Sequence, residues 1–275
     1  MRMITYIFAG LGLVYFVAGL ALYFNQSRLV YFPNPEHVTP AHEGLAGVGE
    51  LTLKTPDGEK VICWYAKALS GQPTILYFHG NAGNISTRSE RIRKYMGLGR
   101  GMFMLDYRGF GGSTGKPSEA ANVADAKLAY ETLRKEGVAA KDIIIYGESI
   151  GSGVAVQVAA SMPAAGLILD APYTALVDVA AKRYAFFPVS LMMTERYESR
   201  RYLPELKLPL LVVHGEQDQV IPVAMGREVL SLHGGPKEIA TFPEAGHADH
   251  YLFGSFEAIN AWIDRLRAGA LAKPK

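Results

Sequence analysis

The sequence predicts an α/β fold: a mostly parallel central sheet with helices on both faces, a small cap, and an N-terminal transmembrane helix. Three observations lead there. Short apolar runs such as Thr74–Phe78, 102–105 and 143–146 alternate with helical patterns, as strands buried on both faces do. Glycine clusters separate those runs, where strand-to-helix turns must be tight. Residues 4–24 carry no charge over a length that spans about 30 Å as a helix, one hydrocarbon core.

Composition narrows the function classes. The 275 residues hold 28 Lys and Arg against 26 Asp and Glu, a net charge of +2. No basic run accompanies that balance, so nucleic acid is not an expected partner. With 49% hydrophobic residues the chain can bury a large core, which excludes global disorder. The lone cysteine, Cys63, cannot form an internal disulfide. Its place in the apolar run 61–65 reads as strand packing rather than a reactive thiol.

In chain order, 4–24 is the expected transmembrane anchor. Tyr23 and Phe24, followed by Asn25, Gln26 and Arg28, mark an interfacial exit. A cleaved signal is the competing reading, but the apolar run is longer than a signal core and no Ala-x-Ala site follows closely. Arg2 and Arg28 flank the two ends, and the reading favours the domain on the non-cytoplasmic side. Residues 25–48, with Pro33, Pro35 and Pro40, read as a linker, and 49–270 as the folded domain.

That domain opens with a hairpin, 51–54 and 61–65 around Pro56-Asp57-Gly58, an antiparallel edge. Residues 86–98 form the next expected helix. Ser118 is a natural N-cap for a helix whose apolar face is Val123, Ala126, Tyr130 and Leu133, stopped by Gly137. Strands follow at 143–146, 167–169 and 210–213, then helix 224–232, strand 239–242 and the amphipathic helix 256–267. An insertion at 173–205 carries Tyr173, Tyr184, Phe186, Phe187, Leu191, Met192, Met193 and Tyr197. It reads as a cap, either packed as ordinary core or shaped to take an acyl chain and touch lipid.

In such sheets, active sites lie at the carboxyl ends of the strands. The pattern Gly-x-Ser-x-Gly occurs twice, at Gly147-Glu148-Ser149-Ile150-Gly151 and Gly111-Gly112-Ser113-Thr114-Gly115. A nucleophile elbow needs a strand directly before the serine and a helix directly after it. Ser149 has both; Ser113 sits in a glycine-rich loop with Pro117 just beyond. That loop also fails the phosphate-binding pattern, because Phe110 stands where its first glycine is required.

A serine hydroxyl needs a base to accept its proton. His247 follows the last expected strand in the loop Glu244-Ala245-Gly246-His247, ahead of His250 as the choice. The pair His247 and His250 lacks a third ligand at known zinc spacing, so no metal is expected. The orienting acid belongs between Ser149 and His247, after a strand. Asp218 fits, with Asp170, Glu216 and Asp249 as rivals. The oxyanion donors expected are the backbone N–H of Ile150 and that of Asn81, with Ala82 as fallback, in the loop His79-Gly80-Asn81-Ala82-Gly83-Asn84. His79 reads as a structural loop residue.

Taken together, these residues resemble the α/β-hydrolase superfamily. The closer likeness is to its membrane-anchored α/β-hydrolase-domain serine hydrolases, a group that includes protein depalmitoylases. The resemblance runs from the anchor and Leu29-Val30-Tyr31-Phe32-Pro33 through Asp106-Tyr107-Arg108-Gly109 to His214-Gly215-Glu216-Gln217-Asp218 and Gly246-His247. It implies an α/β-hydrolase fold, Ser149, Asp218 and His247 as catalytic residues, and Asn81 and Ile150 as oxyanion donors. It gives Asp106, Tyr107 and Arg108 a supporting role, and implies no cofactor. The expected activity is cleavage of carboxylic esters or thioesters of small acyl or lipid substrates through an acyl-enzyme. The alternatives are a peptidase or amidase, with Glu195 and Glu198 of the cap as an amine anchor, and a non-catalytic membrane-bound scaffold.

Overall fold

The computed structural model describes residues 2–271. The first helix, α1 (Arg2–Val30), continues past the expected exit at Phe24. No proline interrupts it before Pro33, and its polar turn bonds back onto the helix. Asn25 Nδ2 donates to the Ala21 carbonyl at 2.8 Å, and Gln26 Nε2 to that of Tyr23 at 2.8 Å. The start of the expected linker is therefore helical. None of α1 is buried, and it is long and apolar enough to cross a membrane.

Beyond α1 the chain forms β1 (Phe32–Pro33), β2 (Val48–Lys54), β3 (Lys60–Ala66), β4 (Thr74–Phe78) and β5 (Ala82–Gly83). Then come α2 (Ser89–Gly97), β6 (Gly101–Leu105), α3 (Glu119–Lys135), β7 (Ile143–Glu148), α4 (Ile150–Ala159) and β8 (Gly166–Asp170). The cap contributes α5 (Leu176–Arg183) and α6 (Val189–Met192). The chain closes with β9 (Leu210–Gly215), α7 (Val223–Leu232), β10 (Lys237–Phe242) and α8 (Ser255–Arg267).

Eight strands make the main sheet in the order β10-β9-β8-β7-β4-β6-β3-β2. The hairpin β2–β3 is antiparallel and β3 runs antiparallel to β6; the other neighbours are parallel. The central strands read as continuous apolar runs because both faces are covered. On one face Leu76, Phe103, Ile145 and Leu167 pack with Tyr130 of α3, Val154 of α4 and Val229 of α7. On the other, Ile75, Met104, Ile144 and Ile168 pack with Tyr95 of α2 and Trp262 of α8. The two-residue side-chain period of a strand sends alternate residues to opposite faces. Ser118 caps α3 as its sequence suggests, accepting the Ala121 N–H at 3.2 Å.

The chain leaves β4 in one direction to β6 and later returns to β7 on β4's other side. This reversal opens a crevice at the carboxyl ends of β4 and β7, where α/β sheets bind ligands.

Candidate active site

Ser149 stands at that crevice, between β7 and α4. Its backbone is strained, with φ 52° and ψ −118°, a conformation that costs a non-glycine residue about 1–3 kcal/mol. The surroundings hold it there. Its N–H donates to the Asp170 carbonyl at 2.8 Å, and its own carbonyl accepts the Ser152 N–H at 2.9 Å. The flanking glycines are required by space. A Cβ at Gly147 would overlap the backbone of Gly151, and one at Gly151 would overlap the Phe78 carbonyl. The motif therefore spells a turn in which α4 starts against the end of β4.

Asp218 and His247 reach Ser149 from the loops after β9 and β10. His247 Nδ1–H donates to Asp218 Oδ2 at 2.7 Å, and the Ser149 hydroxyl donates to His247 Nε2 at 3.0 Å. The neutral tautomer follows from the carboxylate at Nδ1. Gly215 brings the two loops together, since a Cβ there would overlap Ala245 and Gly246. Asp218 is itself fixed: its Oδ1 accepts the N–H groups of Val220 and Ile221, both at 2.8 Å.

Electrostatics tighten the arrangement. Burial opposes ionisation of Asp218, but hydrogen bonds from His214 and His247 outweigh it and hold its pKa below the usual carboxylate range. For His247, burial disfavours the imidazolium, yet the Asp218 hydrogen bond and charge overcome that and raise its pKa. His214 is the residue that sequence reading missed. It is fully buried, with Nε2 3.3 Å from Asp218 Oδ2 and 2.8 Å from the Ile221 carbonyl. Its position four residues before Asp218 was the available signal.

The rivals are committed elsewhere. Ser113 is buried, its hydroxyl donating to the Asp106 carbonyl at 2.9 Å and accepting the Ile62 N–H at 2.9 Å. Asp170 accepts the Tyr146 hydroxyl at 2.6 Å and pairs with His250 Nε2 at 2.8 Å. His250 also meets the Ser255 hydroxyl at 2.8 Å. Glu216 pairs with Arg227, and Asp249 accepts the Gly246 N–H at 2.6 Å. His79 is buried, which pushes its pKa down to about 3, so it is a neutral structural ring. Its carbonyl accepts the Tyr107 hydroxyl at 3.0 Å. Arg108 forks onto Asp125 and Asp57, tying α3 to the β2–β3 turn.

A cavity of about 820 Å³ opens over Ser149 and His247, and Asn81 and Ile150 both line it. Asn81 is anchored by a contact the sequence did not reveal. β1 pairs in parallel with β5, just after Asn81. The Phe32 N–H donates to the Asn81 carbonyl at 2.8 Å, and Asn81 Nδ2 donates to the Val30 carbonyl at 2.8 Å. The chain leaving α1 thus braces the loop that shares the cavity with Ser149.

Comparison with known proteins agrees with this architecture. A family model described as serine aminopeptidase, S33, matches residues 71–195. An uncharacterized Mycobacterium tuberculosis protein, Rv2307c, is 35% identical over 228 residues, covering 82% of this chain and 81% of its own. Alpha/beta hydrolase domain-containing protein 17B of Xenopus laevis is 32% identical over 213 residues, covering 74% of this chain and 70% of its own. Among solved structures, the Pyrococcus furiosus esterase Pf2001 superposes with a TM-score of 0.69 at 20% identity, over 86% of this chain and 97% of the esterase. The chain belongs to the α/β-hydrolase superfamily.

Proposed function

We propose that the protein is a membrane-anchored serine hydrolase of carboxylic esters or thioesters. The observation that carries this reading is the continuous relay from Asp218 through His247 to Ser149 at the floor of the cavity. Ser149 Oγ attacks the acyl carbonyl carbon while His247 Nε2 takes its proton. The oxyanion rests on the N–H groups of Asn81 and Ile150. As the C–O or C–S bond breaks, His247 returns the proton to the leaving alcohol or thiol. Water, deprotonated by His247, then frees the acid and restores Ser149. The residues assigned to these steps require no cofactor or metal.

The peptidase alternative needs a carboxylate facing the cavity to hold a substrate amine. Glu195 Oε2 instead accepts the Tyr31 hydroxyl at 2.7 Å and the Glu119 N–H at 2.5 Å. Glu198 is held by Arg196, Arg200 and Arg201. Among the described residues no acidic side chain lines the cavity, whereas Lys182 and Arg183 do. Esters therefore fit the wall better than peptide amines. The domain plan that goes with this reading is an anchor at 4–24, a linker from 25 to 48 whose first six residues extend α1, and a hydrolase domain at 49–270 capped by 173–205.

A fluorophosphonate probe should label the wild-type protein in detergent, and p-nitrophenyl esters should turn over faster than aminoacyl anilides. A folded protein that resists the probe would point to the scaffold alternative; faster anilide cleavage would point to the peptidase. We place the domain on the non-cytoplasmic side, and protease protection in sealed vesicles showing a cytoplasmic domain would overturn that orientation.

Only neutral His247 can accept the serine proton. Its raised pKa moves the acid limb of kcat/KM above the ordinary histidine value of 6.5, with activity full above the limb and lost below it. A limb at or below 6.5 would contradict the Asp218–His247 coupling.

A further inference from the structure

The cap packs along the apolar length of the anchor. Phe187 stacks on Tyr15 of α1 with ring centroids 5.0 Å apart, and the Tyr15 hydroxyl donates to the Phe186 carbonyl at 2.8 Å. Gly19 lies against Phe187 and Met192. Higher on α1, Gln26 Oε1 accepts both the backbone and the side chain of Thr194, at 2.8 and 3.0 Å. Tyr15 precedes Phe24, where the sequence marks the expected interface, by nine residues, about 14 Å along a helix axis. The segment around α6 therefore runs down beside the apolar span of the anchor, against residues that a membrane crossing would place in hydrocarbon.

Its chemistry suits that setting. Phe186 is 90% exposed and Leu191 87% exposed, a poor arrangement in water and a good one in lipid. Backbone donors in hydrocarbon must be satisfied internally. The N–H groups of Phe187, Val189, Leu191, Met192 and Met193 all donate to carbonyls within the segment. At the end of α5, Lys182 and Arg183 have no carboxylate partner among the described residues, and both line the cavity.

The cavity continues into this junction. Leu22, Leu29 and Val30 of α1, Phe187, Met192 and Met193 of the cap, and Ser149 all line this one cavity. The geometry points to lateral access from the bilayer: the substrate is an acyl ester or thioester whose acyl chain lies in the membrane, drawn between the anchor and the cap. The anchor is then part of the binding site as well as a tether. This inference rests on the serine-hydrolase reading above and adds the substrate's location and its path.

Two experiments on the full-length protein in phosphatidylcholine–phosphatidylglycerol vesicles test it. The native Trp64 and Trp262 are buried in the domain, so a Leu191→Trp variant reports the cap. Its added fluorescence should be quenched by phospholipid brominated in the acyl chains and not by aqueous iodide; the reverse pattern would overturn the proposal. In the second, a Phe186→Asp, Leu191→Asp double variant is compared with wild type on a long-chain acyl ester embedded in the vesicles and on a soluble short-chain ester. The cost of placing carboxylates in lipid predicts a loss of at least about tenfold on the embedded substrate. Turnover of the soluble ester should be retained. An unchanged rate on the embedded ester, or an equal loss on both, would overturn lateral access. Wild type that cleaves neither ester would instead overturn the serine-hydrolase reading itself.

Discussion

Replacing Ser149 with alanine is expected to lower ester turnover by a factor on the order of 10⁵–10⁶ and to abolish fluorophosphonate labelling. The loss is large because the proposed acyl-enzyme route needs the only hydroxyl hydrogen-bonded to His247 Nε2 among the described residues. What remains is the background that an oxyanion site and substrate binding provide. The fold should survive, since Ser149 is held through its backbone, by Asp170 and Ser152, rather than through its hydroxyl. Ser113→Ala is the matched control. There the hydroxyl bridges the Ile62 N–H and the Asp106 carbonyl, so its removal leaves buried backbone groups unpaired. The expected cost is about 1–3 kcal/mol of stability, read by denaturant melts, with labelling retained. A Ser113 variant that loses labelling at full stability, beside a labelled Ser149 variant, would move the nucleophile to the other motif.

These two serines show how far the sequence carries. Their local motifs are identical in pattern, and only the flanking strand and helix separate them. That context is itself legible, because 143–146 is an apolar, β-branched run of strand length and small residues follow at once. The hairpin, the Ser118 cap and the carboxyl-end loops of Asp218 and His247 are legible for the same reason: each depends on neighbours within a few residues. What was illegible depends on distant parts of the chain. The β1–β5 pairing joins Phe32 to Ala82, and a two-residue strand has no periodicity to read. The end of α1 was hidden by polar residues that resemble a linker but bond back to the helix. The cap poses a choice between core packing and lipid contact, and its residues differ in burial. Tyr173 and Tyr197 are fully buried beside Ile150 and Tyr31, while Phe186 and Leu191 are exposed. Composition sets the apolar content of such a segment, but only tertiary contacts assign each residue a side.

The choice of acid also turns on tertiary contacts, and Asp218→Asn is the second large effect expected. Both Asp170 and Asp218 follow a strand, and both are buried. Asp218 alone faces His247 Nδ1. The amide oxygen of the variant could keep the Oδ1 bonds to Val220 and Ile221, so the loop should hold its shape. The amide cannot fix the imidazole with its proton on Nδ1, nor stabilise the imidazolium. Turnover is expected to fall by about 10⁴ at nearly unchanged melting temperature. The residual activity should also shift in pH. Without the carboxylate that raises the His247 pKa, its acid limb moves to lower pH. Asp170→Asn should behave oppositely. It weakens the contacts to Tyr146 and His250 beneath the site, costing about 1–3 kcal/mol of stability while leaving His247 its partner. Its turnover at a temperature where it is folded should stay far above that of Asp218→Asn. A 10⁴-fold loss at Asp170 with a normal melt would transfer the orienting role to Asp170, since that is the loss expected when the imidazole's carboxylate partner is removed.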